Sequence, residues 1–157
     1  MTSTSDDRVI VAVHWLDPAN SGDLPLPSYE TDDASGMDIC AALEGDYLLQ
    51  PGGRTLVPTG LAVAIPKGYE IQVRPRSGLA VRHGVTILNA PGTIDSDYRG
   101  EVKIALVNLG DEPYLIKRGD RIAQLVVAPV VTACLQVQDR LEPTRRGDGG
   151  FGHTGVR

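Results

Sequence analysis

The chain has 157 residues, of which 41% are apolar, and a formal net charge of −5. This length suits one domain with its own hydrophobic core, or one subunit of an oligomer. The acidic charge argues against general nucleic-acid binding, which needs a basic surface, and no segment approaches the roughly 18 consecutive apolar residues of a membrane span. We therefore expect a globular protein that binds neither nucleic acid nor membrane.

Cysteine content and the N-terminal residues predict the compartment. Cys40 and Cys134 are the only cysteines, which is too few for a disulfide framework or a cysteine-built zinc site. The first residues, MTSTSDDRVIVAV, are acidic and polar and lack the layout of a signal peptide. These features predict reduced cysteines in a cytoplasmic protein.

In chain order, short β-type segments alternate with turns that are rich in the 18 glycines and 11 prolines. A polar, proline-rich connector covers residues 20–35, and an extended segment at 55–65 is interrupted at Pro58 and Gly60. Residues 69–74 alternate between apolar and polar side chains, as a half-buried strand does. The predicted strands cover residues 9–16, 55–65, 69–74, 85–88, 100–109 and 122–137.

Only one segment has a helical pattern. SGLAVR (77–82) begins with Ser77 as a candidate N-cap and is followed by Gly84 as a candidate stop. Many short strands with one short helix predict an all-β sandwich or barrel. We assign residues 1–140 to a single β domain and residues 141–157 to a flexible, glycine-rich tail.

The segment PRSGLA (75–80) places Arg76 and Ser77 where a strand gives way to a helix. Free backbone N–H groups at a helix start attract anions, and an arginine adds a bidentate donor. The segment is therefore a candidate phosphate cradle. The alternative is an ordinary capped turn.

The segment NAPGTIDSDYRGEV (89–102) reads as a hairpin that presents many polar groups. An amide such as Asn89, together with exposed backbone, can read a planar heterocycle. A carboxylate such as Asp95 can orient and deprotonate a water molecule, and Tyr98 can pack on a sugar. The alternative is a polar hairpin that is rich in residues favouring turns.

Two further segments carry polar residues at strand positions. In SGMDICA (35–41), Asp38 lies among small and apolar residues, where a carboxylate needs a partner or a metal. It is either a Mg²⁺ site that acts through water or a strand-end aspartate bonded to backbone. In GDRIAQLV (119–126), Gln124 is the polar interior residue of a strand.

The C-terminal segment RRGDGGFGHTG (145–155) contains the only phenylalanine of the chain, Phe151. Glycine-rich backbone and arginines can wrap a phosphate, and an aromatic side chain can stack on a base. The alternative is a disordered tail.

Taken together, these five segments resemble the ordered motifs of the trimeric deoxyuridine triphosphate nucleotidohydrolases, the dUTPases. The resemblance runs from about residue 25 to the C-terminus. It implies a jelly-roll-like β fold and a threefold homotrimer whose active sites are shared between chains. It also implies Mg²⁺-dependent hydrolysis of dUTP to dUMP and pyrophosphate, which limits uracil in DNA and supplies dUMP for dTMP synthesis.

The resemblance also implies residue roles. Asp95 would contact the 3′-hydroxyl and activate the water that attacks the α-phosphorus, while Tyr98 would leave no room for a 2′-hydroxyl. Asp38 would hold Mg²⁺ through water, and Phe151 would stack on uracil. The substrate-binding set that the resemblance implies is Arg76, Ser77, Gly78, Asn89, Gly92, Thr93, Ile94, Asp95, Tyr98, Lys103, Gln124, Arg146, Phe151, Gly152 and Thr154.

Two alternatives stay open at this point. A dCTP deaminase shares the fold, but its catalytic glutamate would fall at Ala105. A nucleotide-binding protein without turnover would need neither Asp95 nor the tail. The tail also departs from the family pattern, because His153 takes a position where a hydroxyl residue is common.

Overall fold

The computed structural model describes residues 8–150, and within them the chain forms ten strands and two short helices. The elements are β1 (Ala12–Trp15), α1 (Pro18–Ser21), β2 (Met37–Cys40), β3 (Tyr47–Leu49), β4 (Arg54–Ala64), β5 (Tyr69–Arg74), α2 (Ser77–His83), β6 (Val85–Ile87), β7 (Gly92–Ile94), β8 (Glu101–Asn108), β9 (Tyr114–Ile116) and β10 (Arg121–Pro129).

Two four-stranded antiparallel sheets form the domain, with strand orders β1-β4-β8-β6 and β2-β10-β5-β7, and β3 pairs with β9 beside them. Their apolar faces enclose one core. Ile71 of β5, Ile104 of β8 and Leu125 of β10 are each at most 2% exposed. The all-β prediction is confirmed, and the architecture is a jelly-roll-like sandwich. Among residues 8–150, no helix has the length and apolar character needed to cross a membrane.

The two helices differ from the prediction. α2 starts at Ser77, so the N-cap is Arg76 rather than Ser77, and its side chain makes no capping hydrogen bond. Gly84 ends the helix in the left-handed conformation with φ 68°, as predicted. α1 was not predicted from the sequence. Its four residues form one turn capped by Asp17, whose carboxylate accepts from the Ala19 N–H.

The segment 89–102 is not a simple hairpin. β6 and β8 do pair, but the intervening β7 crosses to the other sheet and pairs with β5. The Ala90–Pro91 peptide in this crossing is cis. β4 likewise runs through its predicted break as one strand, although its pairing with β8 shifts register between Pro58 and Ala62.

The last predicted strand is too long, because β10 ends at Pro129. Proline lacks the N–H that a strand needs to continue its ladder, and residues 130–150 form no helix or strand. Val131, Leu135 and Val137 are 95%, 93% and 101% exposed. These three apolar side chains are therefore not covered by any of residues 8–150.

Asn108, at the end of β8, is fully buried, and its side chain forms hydrogen bonds to three backbone groups. Its Nδ2 donates to the carbonyls of Leu49 at 3.0 Å and Glu112 at 2.8 Å, and its Oδ1 accepts from the Gly110 N–H at 2.9 Å. All of its side-chain polar atoms are thus paired, as burial of an amide requires.

We predict that Asn108→Ala lowers the free energy of unfolding by about 2–3 kcal/mol, because it leaves buried backbone groups without partners. Urea denaturation at one fixed protein concentration measures this. Asn20→Ala is the matched control, since the Asn20 amide bonds Asp17 at an exposed position, and it should change stability by less than about 0.5 kcal/mol. Equal effects of the two variants would contradict the assigned role of Asn108.

Candidate functional site

An open cavity of about 320 Å³ lies where β7, the turn after it and β8 meet. Seven of the residues that the sequence predicted for a binding site line this cavity, and five further lining residues were not predicted. The predicted ones are Asn89, Gly92, Thr93, Ile94, Asp95, Tyr98 and Lys103. The others are Leu56, Val73, Glu101, Val102 and Ala105.

Gly92 lines the cavity, and its lack of a side chain lets β7 lie close to Val73 and Asn89. It pairs with Val73 across β5 and β7. A Cβ added at Gly92 would lie 3.1 Å from the Val73 Cβ and 3.3 Å from the Asn89 Nδ2. A larger residue would therefore press on the amide that faces the cavity.

Tyr98 is fixed at both ends. Its backbone N–H donates to the Asp95 carbonyl at 3.1 Å, and its hydroxyl donates to the Glu101 carbonyl at 3.1 Å. A Cβ added at Gly100 would lie 2.6 Å from the Tyr98 Cζ, so the ring can take this position only over glycine. Tyr98 is 46% exposed and lines the cavity.

Glu101 and Lys103 bring opposite charges to the cavity wall. Glu101 Oε2 lies 3.5 Å from the Lys103 Nζ, and Glu101 Oε1 accepts from the Gly60 N–H at 3.0 Å. Both residues belong to β8, where alternation had indicated only a polar face. That face lines the cavity together with Leu56 of β4 and the residues of β7, a long-range arrangement that the local pattern does not contain.

A second polar group, which we call the arginine cluster, consists of Glu30, Asp38, Arg76 and Arg121. Arg76 Nη2 and Arg121 Nη1 lie 3.2 Å and 3.3 Å from the same oxygen, Asp38 Oδ2. Arg121 Nη1 also lies 2.9 Å from Glu30 Oε2. The desolvation of Asp38, 13% exposed, is thus offset by two guanidinium groups, neither of which was its predicted partner.

The other predicted phosphate residues surround this cluster. Ser77 and Gly78 are exposed in the first turn of α2. Gln124 Nε2 donates to the Pro75 carbonyl at 2.9 Å, and Gln124 lies opposite Asp38 in the pairing of β10 with β2. Among residues 8–150, no group of three or more His, Cys, Asp or Glu side chains could hold a metal ion by itself.

Cys40 flanks the cluster, opposite Arg121 in the same strand pair. Burial raises the pKa of the Cys40 thiol, because a thiolate loses hydration there, while the positive charge of Arg121 acts in the opposite direction. Burial therefore favours the protonated thiol of Cys40 over the thiolate.

Within residues 8–150, the cavity and the arginine cluster share no residue. The wall of the cavity that contains Asp95 includes none of Asp38, Arg76, Ser77 or Gln124. The cavity offers groups suited to a heterocycle and a sugar, whereas the arginine cluster offers groups suited to phosphates. A ligand with both parts needs the two groups brought together.

The tail is described only in part. Arg146 is exposed, and its Nε donates to the Gly149 carbonyl at 2.8 Å within a local turn. Phe151, Gly152, His153 and Thr154 lie outside the described residues. Their predicted contacts with a ligand therefore stay predictions.

Comparisons with known proteins point to one family. The family model described as dUTPase matches residues 22–155. The deoxyuridine 5'-triphosphate nucleotidohydrolase of Desulfotalea psychrophila is 60% identical over 142 residues, which cover 90% of this chain and 95% of that protein. The protein of the same name from Ehrlichia canis is 57% identical over 139 residues, which cover 87% and 91%.

Solved structures agree. The dUTPase of Staphylococcus bacteriophage 80alpha with dUpNHpp has a TM-score of 0.79 and 27% identity, covering 94% of this chain and 99% of that one. A mutant dUTPase from phage phi11 of S. aureus, whose structure describes the coordination of a structural Mg(II) ion, has a TM-score of 0.74 and 25% identity. That match covers 85% of this chain and 99% of the phage protein.

Proposed function

Because the chain belongs to the dUTPase family, we propose that it hydrolyses dUTP to dUMP and pyrophosphate. The observation that carries this proposal is the single cavity that collects Asn89, Asp95 and Tyr98 with the backbone of β7. Its volume of about 320 Å³ lies at the lower end of the range typical of small-ligand pockets.

The cavity walls account for recognition of the nucleoside. The exposed Asn89 amide and the backbone near β7 read the edge of uracil, because a wrong base would leave these polar groups unpaired. The Tyr98 ring packs against the deoxyribose. Since its hydroxyl is tied to Glu101 and its ring is held over Gly100, the ring cannot retreat to admit a 2′-hydroxyl.

Asp95 is the proposed catalytic base. Its exposed carboxylate orients a water molecule and takes its proton as the water oxygen bonds to the α-phosphorus. The bond from that phosphorus to the oxygen bridging the α- and β-phosphates breaks, and pyrophosphate leaves with the electron pair. This chemistry depends mainly on positioning and on stabilising the charge of the phosphates.

Arg76, Ser77, Gly78 and Gln124 are the proposed phosphate ligands. Arg76 brings a guanidinium fork that matches phosphate oxygens. Ser77 and Gly78 add a hydroxyl and exposed N–H groups in the first turn of α2. Lys103 brings a further positive charge to the nucleoside cavity.

Asp38 suits Mg²⁺ held through water. Mg²⁺ is commonly bound by one or two carboxylates, with waters and substrate phosphates completing its shell, and the cluster offers one such carboxylate. Both arginines contact its Oδ2, and the Asp38 carboxylate would hold Mg²⁺ through water. When bound, Mg²⁺ neutralises and orients the triphosphate.

We also propose a homotrimer with shared sites. The cavity and the arginine cluster share no residue within one chain, and in the proposed trimer a second copy brings them together. Three nearly fully exposed apolar residues, Val131, Leu135 and Val137, follow β10. An exposed apolar segment of this kind marks an interaction surface, and it can carry residues 141–157 to a neighbouring copy. There Arg146 would meet the γ-phosphate, Phe151 would stack on uracil, and Gly152 and Thr154 would complete the closure.

The alternatives have less support. Ala105 lines the cavity, so position 105 faces a ligand but has no carboxylate for deamination. Glu101 lines the same cavity, but its carboxylate is engaged by Gly60 and Lys103.

Hydrolysis of dUTP would limit uracil incorporation into DNA and supply dUMP for dTMP synthesis. Both cysteines are free thiols, which supports the proposed cytoplasmic location.

Asp95→Asn keeps the shape of the side chain and removes the base. We expect kcat for dUTP to fall by at least about 10²-fold, the lower range for loss of a general base, while dUTP binding survives. Asp97→Asn is the matched control, because Asp97 lies in the same turn but not in the cavity wall. Steady-state pyrophosphate release measures both. Wild-type turnover by Asp95→Asn would exclude Asp95 as the base.

Gly100→Ala tests the sugar contact, because the added methyl displaces the Tyr98 ring. We expect kcat/KM for UTP relative to dUTP to rise roughly tenfold, the size of one steric contact in a pocket. Gly45→Ala is the control, since its added Cβ meets no atom within 4 Å, and it should leave the ratio unchanged. If the ratio stayed at the wild-type value in Gly100→Ala, Tyr98 would not exclude the 2′-hydroxyl.

A further inference from the structure

Arg121 holds the centre of the arginine cluster. Its Nη1 lies 2.9 Å from Glu30 Oε2 and 3.3 Å from Asp38 Oδ2, while its backbone carbonyl accepts from Arg76 Nη1 at 3.0 Å. Arg121 thus contacts Asp38 through its side chain and Arg76 through its main chain. Local sequence pattern does not single it out, because its neighbours come from β2, from the N-cap of α2 and from the connector before β2.

The Asp38 carboxylate places a negative charge beside the proposed phosphate site, and this charge needs a counter-ion. Its carboxylate, 13% exposed, is shared by Arg76 and Arg121. With Arg76 as its only counter-ion, Arg76 could not turn to a phosphate without leaving Asp38 unpaired. An unpaired carboxylate there would repel a triphosphate and would be costly to keep partly buried. A second cation on the same oxygen removes this conflict.

We propose that Arg121 is a positioning residue of the phosphate site. The Arg121 side chain remains the counter-ion of Asp38 while the Arg76 guanidinium turns toward the ligand. The Arg121 carbonyl continues to accept a hydrogen bond from Arg76. This inference rests on the proposed function, because it assumes that Arg76 binds phosphate.

A purely structural role is the competing explanation. In that case, Arg121 would only fasten the connector through Glu30, whose side chain is 53% exposed. The two explanations differ in the effect of Glu30. If Arg121 is a fastener, loss of Glu30 or of Arg121 breaks the same ion pair and has the same effect. If Arg121 is the counter-ion of Asp38, loss of Glu30 removes a negative charge and does not weaken phosphate binding.

The test uses the full chain, with inorganic tripolyphosphate and deoxyuridine as separate probes. Binding of each is measured by calorimetry at fixed Mg²⁺, so the result does not depend on turnover. The variants are Arg121→Gln, Arg121→Lys and Glu30→Gln. Asp23→Asn is the matched control, because Asp23 forms the other connector ion pair, with Arg118, outside the cluster.

We expect Arg121→Gln to weaken tripolyphosphate binding and raise KM for dUTP, each roughly tenfold, the size of one charge-assisted contact. Binding of deoxyuridine should not change. Arg121→Lys, which keeps the charge, should recover most of the loss. Glu30→Gln should bind tripolyphosphate at least as tightly as wild type, and Asp23→Asn should bind and turn over as wild type does.

Any of four results would overturn the inference, and three of them involve Arg121→Gln. The first is unchanged tripolyphosphate binding in Arg121→Gln. The second is equally weakened tripolyphosphate binding in Arg121→Gln and Glu30→Gln. The third is an equal loss of tripolyphosphate binding and deoxyuridine binding in Arg121→Gln. Weaker tripolyphosphate binding by Glu30→Gln alone also contradicts it, so the test stays decisive even if Arg121→Gln does not fold. A wild-type chain that binds tripolyphosphate but does not hydrolyse dUTP would instead contradict the proposed function.

Discussion

The pairing of β5 with two different neighbours is the constraint on which both parts of the site depend. On one side β5 pairs with β10, where Gln124 lies opposite Arg74, and on the other it pairs with β7, where Gly92 lies opposite Val73. After β5 the chain passes through Pro75 to Arg76, the N-cap of α2. One strand therefore sets the register of the phosphate residues and of the nucleoside cavity.

Charge organises the phosphate half of the site. The chain carries a net charge of −5, yet Arg76 and Arg121 converge on a single carboxylate oxygen. Such a local arrangement allows an acidic protein to receive a triphosphate. The wall of the cavity that contains Asp95 includes neither Asp38 nor Arg76, and this separation is the reason for proposing that a second copy completes each site.

Sequence alone predicted what local pattern and short motifs determine. Residues 69–74 formed the predicted strand, and seven residues predicted from 89–103 line one cavity. Prediction from sequence failed where contacts between segments distant in the chain determine the structure. The cavity position of Glu101 and the contacts of Arg121 depend on strand register. The predicted strand to residue 137 stops at Pro129, and among residues 8–150 no strand pairs with residues 131–137.

The central claim is that each site is completed by more than one chain, and co-refolding tests it most directly. A chain lacking residues 145–157 is unfolded and refolded with an equal amount of the Asp95→Asn chain. Each chain alone should be inactive. If Asp95 and the tail of one site come from different chains of a closed threefold ring, random mixing makes about a quarter of the sites whole. The account predicts recovery near a quarter of wild-type dUTP hydrolysis. An inactive mixture, with mixed trimers shown to have formed, would contradict it.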